Sequence, residues 1–132
     1  MGKVIAVTGK GGTGKTAVAA MLVRHLVKNS GKKYRMLVID ADADANLADA
    51  LGVKAGKTIG DMREFMQQAR YTTSPDTDKQ LLFESKLFEI LLEEDGYDML
   101  VMGKPEGSGC YCFVNNLLRG IMDKTTSDYD LV

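Results

Sequence analysis

The stretch Gly9-Lys10-Gly11-Gly12-Thr13-Gly14-Lys15-Thr16 constrains this chain more than any other. It fits the spacing G-x-x-x-x-G-K-[ST], with both glycines, the lysine and the threonine in place. That spacing carries chemistry only between a strand and a helix. Lys3-Val4-Ile5-Ala6-Val7-Thr8 reads as a short buried strand before it, and residues 17–28 read as a helix after it. Glycines let the backbone turn tightly and bring its N–H groups close to an anion. The positive end of the following helix faces the same point. The pattern therefore predicts a phosphate cradle built from residues 11–17: Gly11, Gly12, Thr13, Gly14, Lys15, Thr16 and Ala17. Lys15 reaches the β- and γ-phosphates, and the Thr16 hydroxyl serves as a ligand for Mg²⁺.

The rest of the chain alternates strands with helices. Met36-Leu37-Val38-Ile39 is a second buried strand ending at Asp40. Residues 44–51 form a short helix stopped by Gly52. Thr58 opens another helix, with Asp61 three residues on as a partial capping box. That helix carries Met62, Phe65, Met66 and Ala69 at helical spacing, a stripe suited to core packing. Residues 71–78 read as an exposed loop. Residues 79–94 read as one amphipathic helix with Leu82, Phe83, Leu87, Ile90 and Leu91 on one side, ended by Gly96. Residues 97–102 make a third strand, residues 113–124 a helix, and Tyr129-Asp130-Leu131-Val132 begins a further strand. The expected class is α/β, with a mostly parallel sheet flanked by helices.

Composition narrows the function. With 132 residues and a formal net charge of −1, the chain suits one domain without a general nucleic-acid or membrane surface. No apolar run is long enough to span a bilayer, and the N-terminus enters a strand directly, without signal-peptide character. Two cysteines do not imply a disulfide framework, and the expected compartment is cytoplasmic.

Two further segments carry chemistry. Asp40-Ala41-Asp42-Ala43-Asp44-Ala45-Asn46-Leu47 places alternating carboxylates at the end of the second strand, beside the loop. A calcium loop is disfavoured, because the downstream glycine and glutamate spacing is missing. N-capping of the next helix by Asp44 is compatible with either role. Gly103-Lys104-Pro105-Glu106-Gly107-Ser108-Gly109-Cys110-Tyr111-Cys112 holds both cysteines. On the Cys-x-Cys spacing alone, a pair of buried or free thiols is the preferred reading. Two thiolates under-fill a tetrahedral site, and a two-fold dimer would supply two more. His25, within the first helix, reads as an ordinary helix residue.

These segments carry a resemblance. The order strand, glycine loop, helix, strand is that of a P-loop NTPase. With Lys10 directly after the first glycine, the loop resembles K-G-G-x-G-K-T of the deviant Walker A group, which includes the Min and Par positioning ATPases and the nitrogenase iron protein. The resemblance implies that Lys10 reaches across a dimer interface to the partner's nucleotide. Residues 40–46 are similar to that group's D-x-D-P-x-x-N switch, with Ala43 in place of the proline. This likeness puts Asp42 at the attacking water. G-K-P-E-G-x-G-C-Y-C, followed by Asn115, Asn116, Leu117, Leu118 and Arg119, closely resembles the carbon monoxide dehydrogenase maturation ATPases, the nickel-insertion accessory proteins.

The resemblance implies a nucleotide-dependent homodimer that hydrolyses ATP with Mg²⁺. In it Lys10, Lys15 and Asp42 are catalytic, and Cys110 and Cys112 bind Zn²⁺ or Ni²⁺ in the service of carbon monoxide dehydrogenase. A Min- or Par-type positioning switch is the alternative. An electron-transfer reductase is disfavoured, because the iron protein's cysteines come from two separated loops. P-loop NTPases carry an aspartate at the end of a strand such as 129–132, and none follows Val132. Residues 1–132 are thus expected to be the N-terminal portion of a single P-loop NTPase domain.

Overall fold

A computed structural model describes residues 2–30, 33–54, 56–72, 74–76, 78–104, 111–125 and 127–132. Helix α1 spans Lys15–Ser30, strand β1 Leu37–Asp40, α2 Asn46–Leu51 and α3 Ile59–Thr72. They are followed by α4 Lys79–Ile90, β2 Leu92–Glu94, β3 Tyr97–Val101 and α5 Tyr111–Thr125. The sheet order is β1-β3-β2. β1 runs parallel to β3, with Leu37 opposite Asp98 and Asp40 opposite Val101, while β2 is antiparallel to β3.

The apolar runs of β1 and β3 are buried on both faces. Val38, Met99 and Val101 point to a cluster with Ala20 and Val23 of α1 and Leu47 and Ala48 of α2. Their neighbours Leu37, Leu100 and Met102 point the other way, to Ile59 and Met62 of α3, Ile90 of α4 and Ile121 of α5. The period-2 alternation of a strand makes both layers from one sequence run. Full burial of Leu37, Ile59, Met62, Leu100 or Ile121 contributes about 1.5–3 kcal/mol each.

Three expectations need correction. Residues 92–94 leave the helix and form β2, because Asp95-Gly96 closes a tight hairpin to β3 with Gly96 at φ 95°. A Cβ at Gly96 would also stand 2.9 Å from Cγ1 of Val27, so the turn packs directly on α1. Helix α2 starts at Asn46 and is not capped by Asp44. Ala45 occupies the cap position in the left-handed region (φ 52°), with no side-chain bond of its own. The stretch 3–8 is not a buried strand. Only Lys3 bridges, to Leu131, and Val4, Ile5 and Val7 are 54%, 49% and 39% exposed.

The last correction has a geometric cause. Leu131 bridges in parallel to both Lys3 and Met36, so the segment 129–132 lies between residues 3–5 and β1. Lys3 N–H donates to Asp130 O at 2.9 Å, Ile5 N–H to Val132 O at 2.8 Å, and Leu37 N–H to Leu131 O at 2.9 Å. That pairing reaches as far as Val132, and residues 6–8 line a cleft.

The helix ends follow local rules. Thr58 and Asp61 cap α3 reciprocally: Thr58 N–H donates to Asp61 Oδ2 at 2.7 Å, and Asp61 N–H to Thr58 Oγ1 at 3.3 Å. Asp78 caps α4 by accepting from Gln80 and Leu81. Gly52 ends α2 in the left-handed conformation.

Candidate nucleotide site

The loop 9–14 leads straight into α1, whose first turn carries no acidic residue. The positive end of that helix is therefore left for an external anion. Gly12 and Gly14 hold φ of 77° and 88°, the region where a side chain is strained. Inside the loop the Lys10 carbonyl is the organising acceptor. Thr13 Oγ1 donates to it at 2.6 Å and Lys15 Nζ at 2.9 Å. The Lys15 ammonium is thus folded back onto the backbone of its own loop. Residues 10–14 and Ala17 are exposed, whereas Lys15 and Thr16 are half-buried.

A cleft of about 790 Å³ opens beside this loop. Residues 4–9 line one side, Lys15 and Thr16 one end, and residues 36–43 the other side. Lys15, Thr16 and Asp42, three of the residues singled out by the sequence, all border it, along with apolar residues such as Leu22, Leu26, Leu131 and Val132. Lys10, the residues 11–14 and Ala17 lie outside its lining. Cys110 lies outside the described residues, as does the side chain of Cys112, whose backbone stands in the first turn of α5. Among the described residues there is no group of three or more His, Cys, Asp or Glu side chains able to hold a metal ion.

The acidic loop is built as a ladder. Asp40 is 6% exposed and accepts Asp42 N–H on Oδ1 at 3.1 Å and Leu47 N–H on Oδ2 at 3.0 Å. Asp42 Oδ1 accepts Asp44 N–H at 3.1 Å, and its carbonyl accepts Ala45 N–H at 3.1 Å. Asp40 is therefore the buried anchor, and it caps the Leu47 amide of α2 from outside that helix. Sequence reading assigned it no role. The available signal was its place as the first carboxylate after an apolar strand, ahead of exposed ones. The donor set fits a Mg²⁺ nucleotide: a hydroxyl and a carboxylate are hard oxygen ligands, and an ammonium shares their cleft.

At the opposite end of the sheet, Tyr129 ties the segment 129–132 to its neighbours. Its hydroxyl donates to Asp98 at 2.6 Å, and Arg35 sits 5.2 Å from its ring centroid. Burial, and then the Asp98 carboxylate that accepts its proton, push the phenol well above its ordinary range.

A glycine loop at a helix start, facing carboxylates at the end of a parallel strand, defines a P-loop nucleotide-binding domain. Residues 4–125 match the CobQ/CobB/MinD/ParA nucleotide binding domain, and the chain belongs to that family. It is similar to an uncharacterised ATP-binding protein of Methanocaldococcus jannaschii, 50% identical over 131 residues that cover 98% of this chain and 51% of that protein. It is also similar to the carbon monoxide dehydrogenase accessory protein CooC of Rhodospirillum rubrum, 37% identical over 135 residues that cover 91% of this chain and 50% of that protein. A second uncharacterised ATP-binding protein of M. jannaschii is 33% identical over 125 residues. The chain spans about half the length of the curated relatives it matches. No helix among the described residues is long and apolar enough to cross a membrane.

Proposed function

We propose that this chain is the N-terminal portion of a single P-loop NTPase domain, in a cytoplasmic ATPase that assists nickel insertion into carbon monoxide dehydrogenase. The observation that carries the ATPase part is the shared cleft of Lys15, Thr16 and Asp42. The similarity to the accessory protein CooC, together with the Cys-x-Cys segment, supports the nickel role.

In this reading Lys15 exchanges the Lys10 carbonyl for the β- and γ-phosphates. The amides of residues 11–16 and the start of α1 neutralise the remaining charge. Thr16 would hold Mg²⁺ with Asp42 close by, and the ion would offset charge on the phosphate oxygens. Asp42 orients the attacking water. Lys10 acts on the nucleotide of a second subunit, as the arginine finger of other P-loop enzymes does. Cys110 and Cys112 form half of a Zn²⁺ or Ni²⁺ site completed across the same homodimer.

The test is a calorimetric titration of the full-length protein with Mg²⁺-ATP and with Mg²⁺-GTP, followed by steady-state phosphate release. Binding and turnover of ATP are expected. Absence of nucleotide binding would overturn the ATPase reading, and binding without metal uptake by the cysteines would overturn the nickel role.

A further inference from the structure

We propose that Lys104 is a positioning residue for the Asp42 carboxylate. Lys104 follows β3, and the acidic loop follows β1, its parallel neighbour. The adjacency places both chain exits at one edge of the sheet. Lys104 Nζ lies 2.9 Å from Asp44 Oδ1. The amide of Asp44 in turn donates to Asp42 Oδ1 at 3.1 Å. The residue that Lys104 holds by its side chain therefore holds Asp42 by its backbone. The ladder starts from Asp40, whose carbonyl accepts Met102 N–H at 2.9 Å, so the two loops are also tied at their roots.

The need for such a tie is visible in the loop itself. Asp42 is exposed, and Ala45, the residue directly before α2, is held at φ 52°. A non-glycine residue in that region costs about 1–2 kcal/mol, so the loop gains from an external restraint. Asp40, Asp42 and Asp44 also crowd three carboxylates into five residues, and an ammonium at Asp44 relieves their repulsion. Gly103 adds a close approach at the same place. Its φ is 63°, and a Cβ there would stand 2.8 Å from the Thr58 side chain. The backbone before Lys104 is thereby pressed against the cap of α3, which gives the lysine a rigid base.

The proposal rests on the ATPase reading, in which Asp42 orients water. An exposed ion pair is a modest restraint, so Lys104→Ala should lower kcat for ATP about two- to fivefold. KM should stay within about twofold, because the phosphate cradle is untouched. Lys104→Arg should restore most of kcat. In an Asp44→Ala background, Lys104→Ala should cause no further loss.

The same full-length variants are followed, without nucleotide, by hydrogen exchange of the segment 41–47. Lys104→Ala should speed exchange at the Asp44 amide, and Lys104→Arg should not. Unchanged kcat, a loss confined to KM, or losses that add in the double variant would overturn the proposal. If the wild type itself fails to turn over ATP, the ATPase reading falls. Exchange then decides alone: faster exchange in Lys104→Ala upholds the tie between the loops, and equal exchange removes it.

Discussion

The Lys15 ammonium donates to the carbonyl of Lys10, 2.9 Å away, within the same glycine loop. The lysine expected to meet phosphate is thus already held near the loop backbone by a neutral acceptor. The ammonium already makes this a charge-assisted bond, and an anionic phosphate oxygen would add Coulomb attraction that the neutral carbonyl lacks. Exchange of partners needs no new loop.

Lys15→Ala removes that charge. Bonds to charged groups contribute about 1.5–3 kcal/mol, so ATP affinity of the full-length protein should fall by about one to two orders of magnitude. Calorimetric titration measures this directly. An unchanged dissociation constant would remove Lys15 from the phosphate site.

Lys10→Ala and Asp42→Ala should separate turnover from binding. Each variant should keep ATP affinity within about threefold and lose at least about 90% of phosphate release. Lys10 acts across the dimer in this reading, so mixing the two variants should recover activity through heterodimers. Failure of the mixture, with both parents folded, would argue for a role within one subunit.

Removal of the cysteines should remove the transition metal and leave the nucleotide. Wild-type full-length protein should carry about one ion per dimer, and the Cys110→Ala/Cys112→Ala variant none. Affinity should fall at low pH as the thiolates protonate. Native mass spectrometry counts the ions, and one ion per monomer would exclude a shared site.

The buried Asp40 carboxylate holds two amides, those of Asp42 and Leu47. Asp40→Ala strands both and should cost about 1–3 kcal/mol in chemical denaturation. The largest gain in hydrogen exchange should fall at residues 42–47. A uniform increase across the chain would instead indicate global destabilisation.

Tyr129 supplies a test in alkaline solution. Its folded pKa is raised by burial and by Asp98. The stability it contributes is therefore complete below the unfolded value of about 10 and is lost as pH rises above it. Tyr129→Phe should cost about 1 kcal/mol at neutral pH through the lost hydrogen bond, and the gap to wild type should close above about pH 10. Denaturation midpoints of both proteins across that range provide the check. A constant gap would mean that the hydroxyl does not stabilise the fold through its proton.

Much of this was legible from local rules. The glycine loop, α1, the Thr58–Asp61 cap and the apolar runs of β1 and β3 depend on neighbours within a few residues. The hairpin at Asp95-Gly96 is not legible in this way. The amphipathic pattern of residues 79–91 continues into Leu92, and pairing with β3 overrides it. The cap of α2 is not legible for a related reason. Asp40, seven residues before Leu47, reaches the α2 amide from the end of a strand.

What the sequence alone determined is the class of chemistry: phosphate-binding glycines, a lysine and a threonine at fixed spacing, with carboxylates after the next strand. Tertiary structure decided that Asp40 is buried as an anchor while Asp42 is exposed, both of them bordering the cleft. It also paired Lys104 with Asp44, and it set Leu131 between Lys3 and Met36. These pairings join residues far apart in the chain. They exist only because parallel strands bring their ends to one edge of the sheet, and strand order is set by burial on both faces rather than by any local signal.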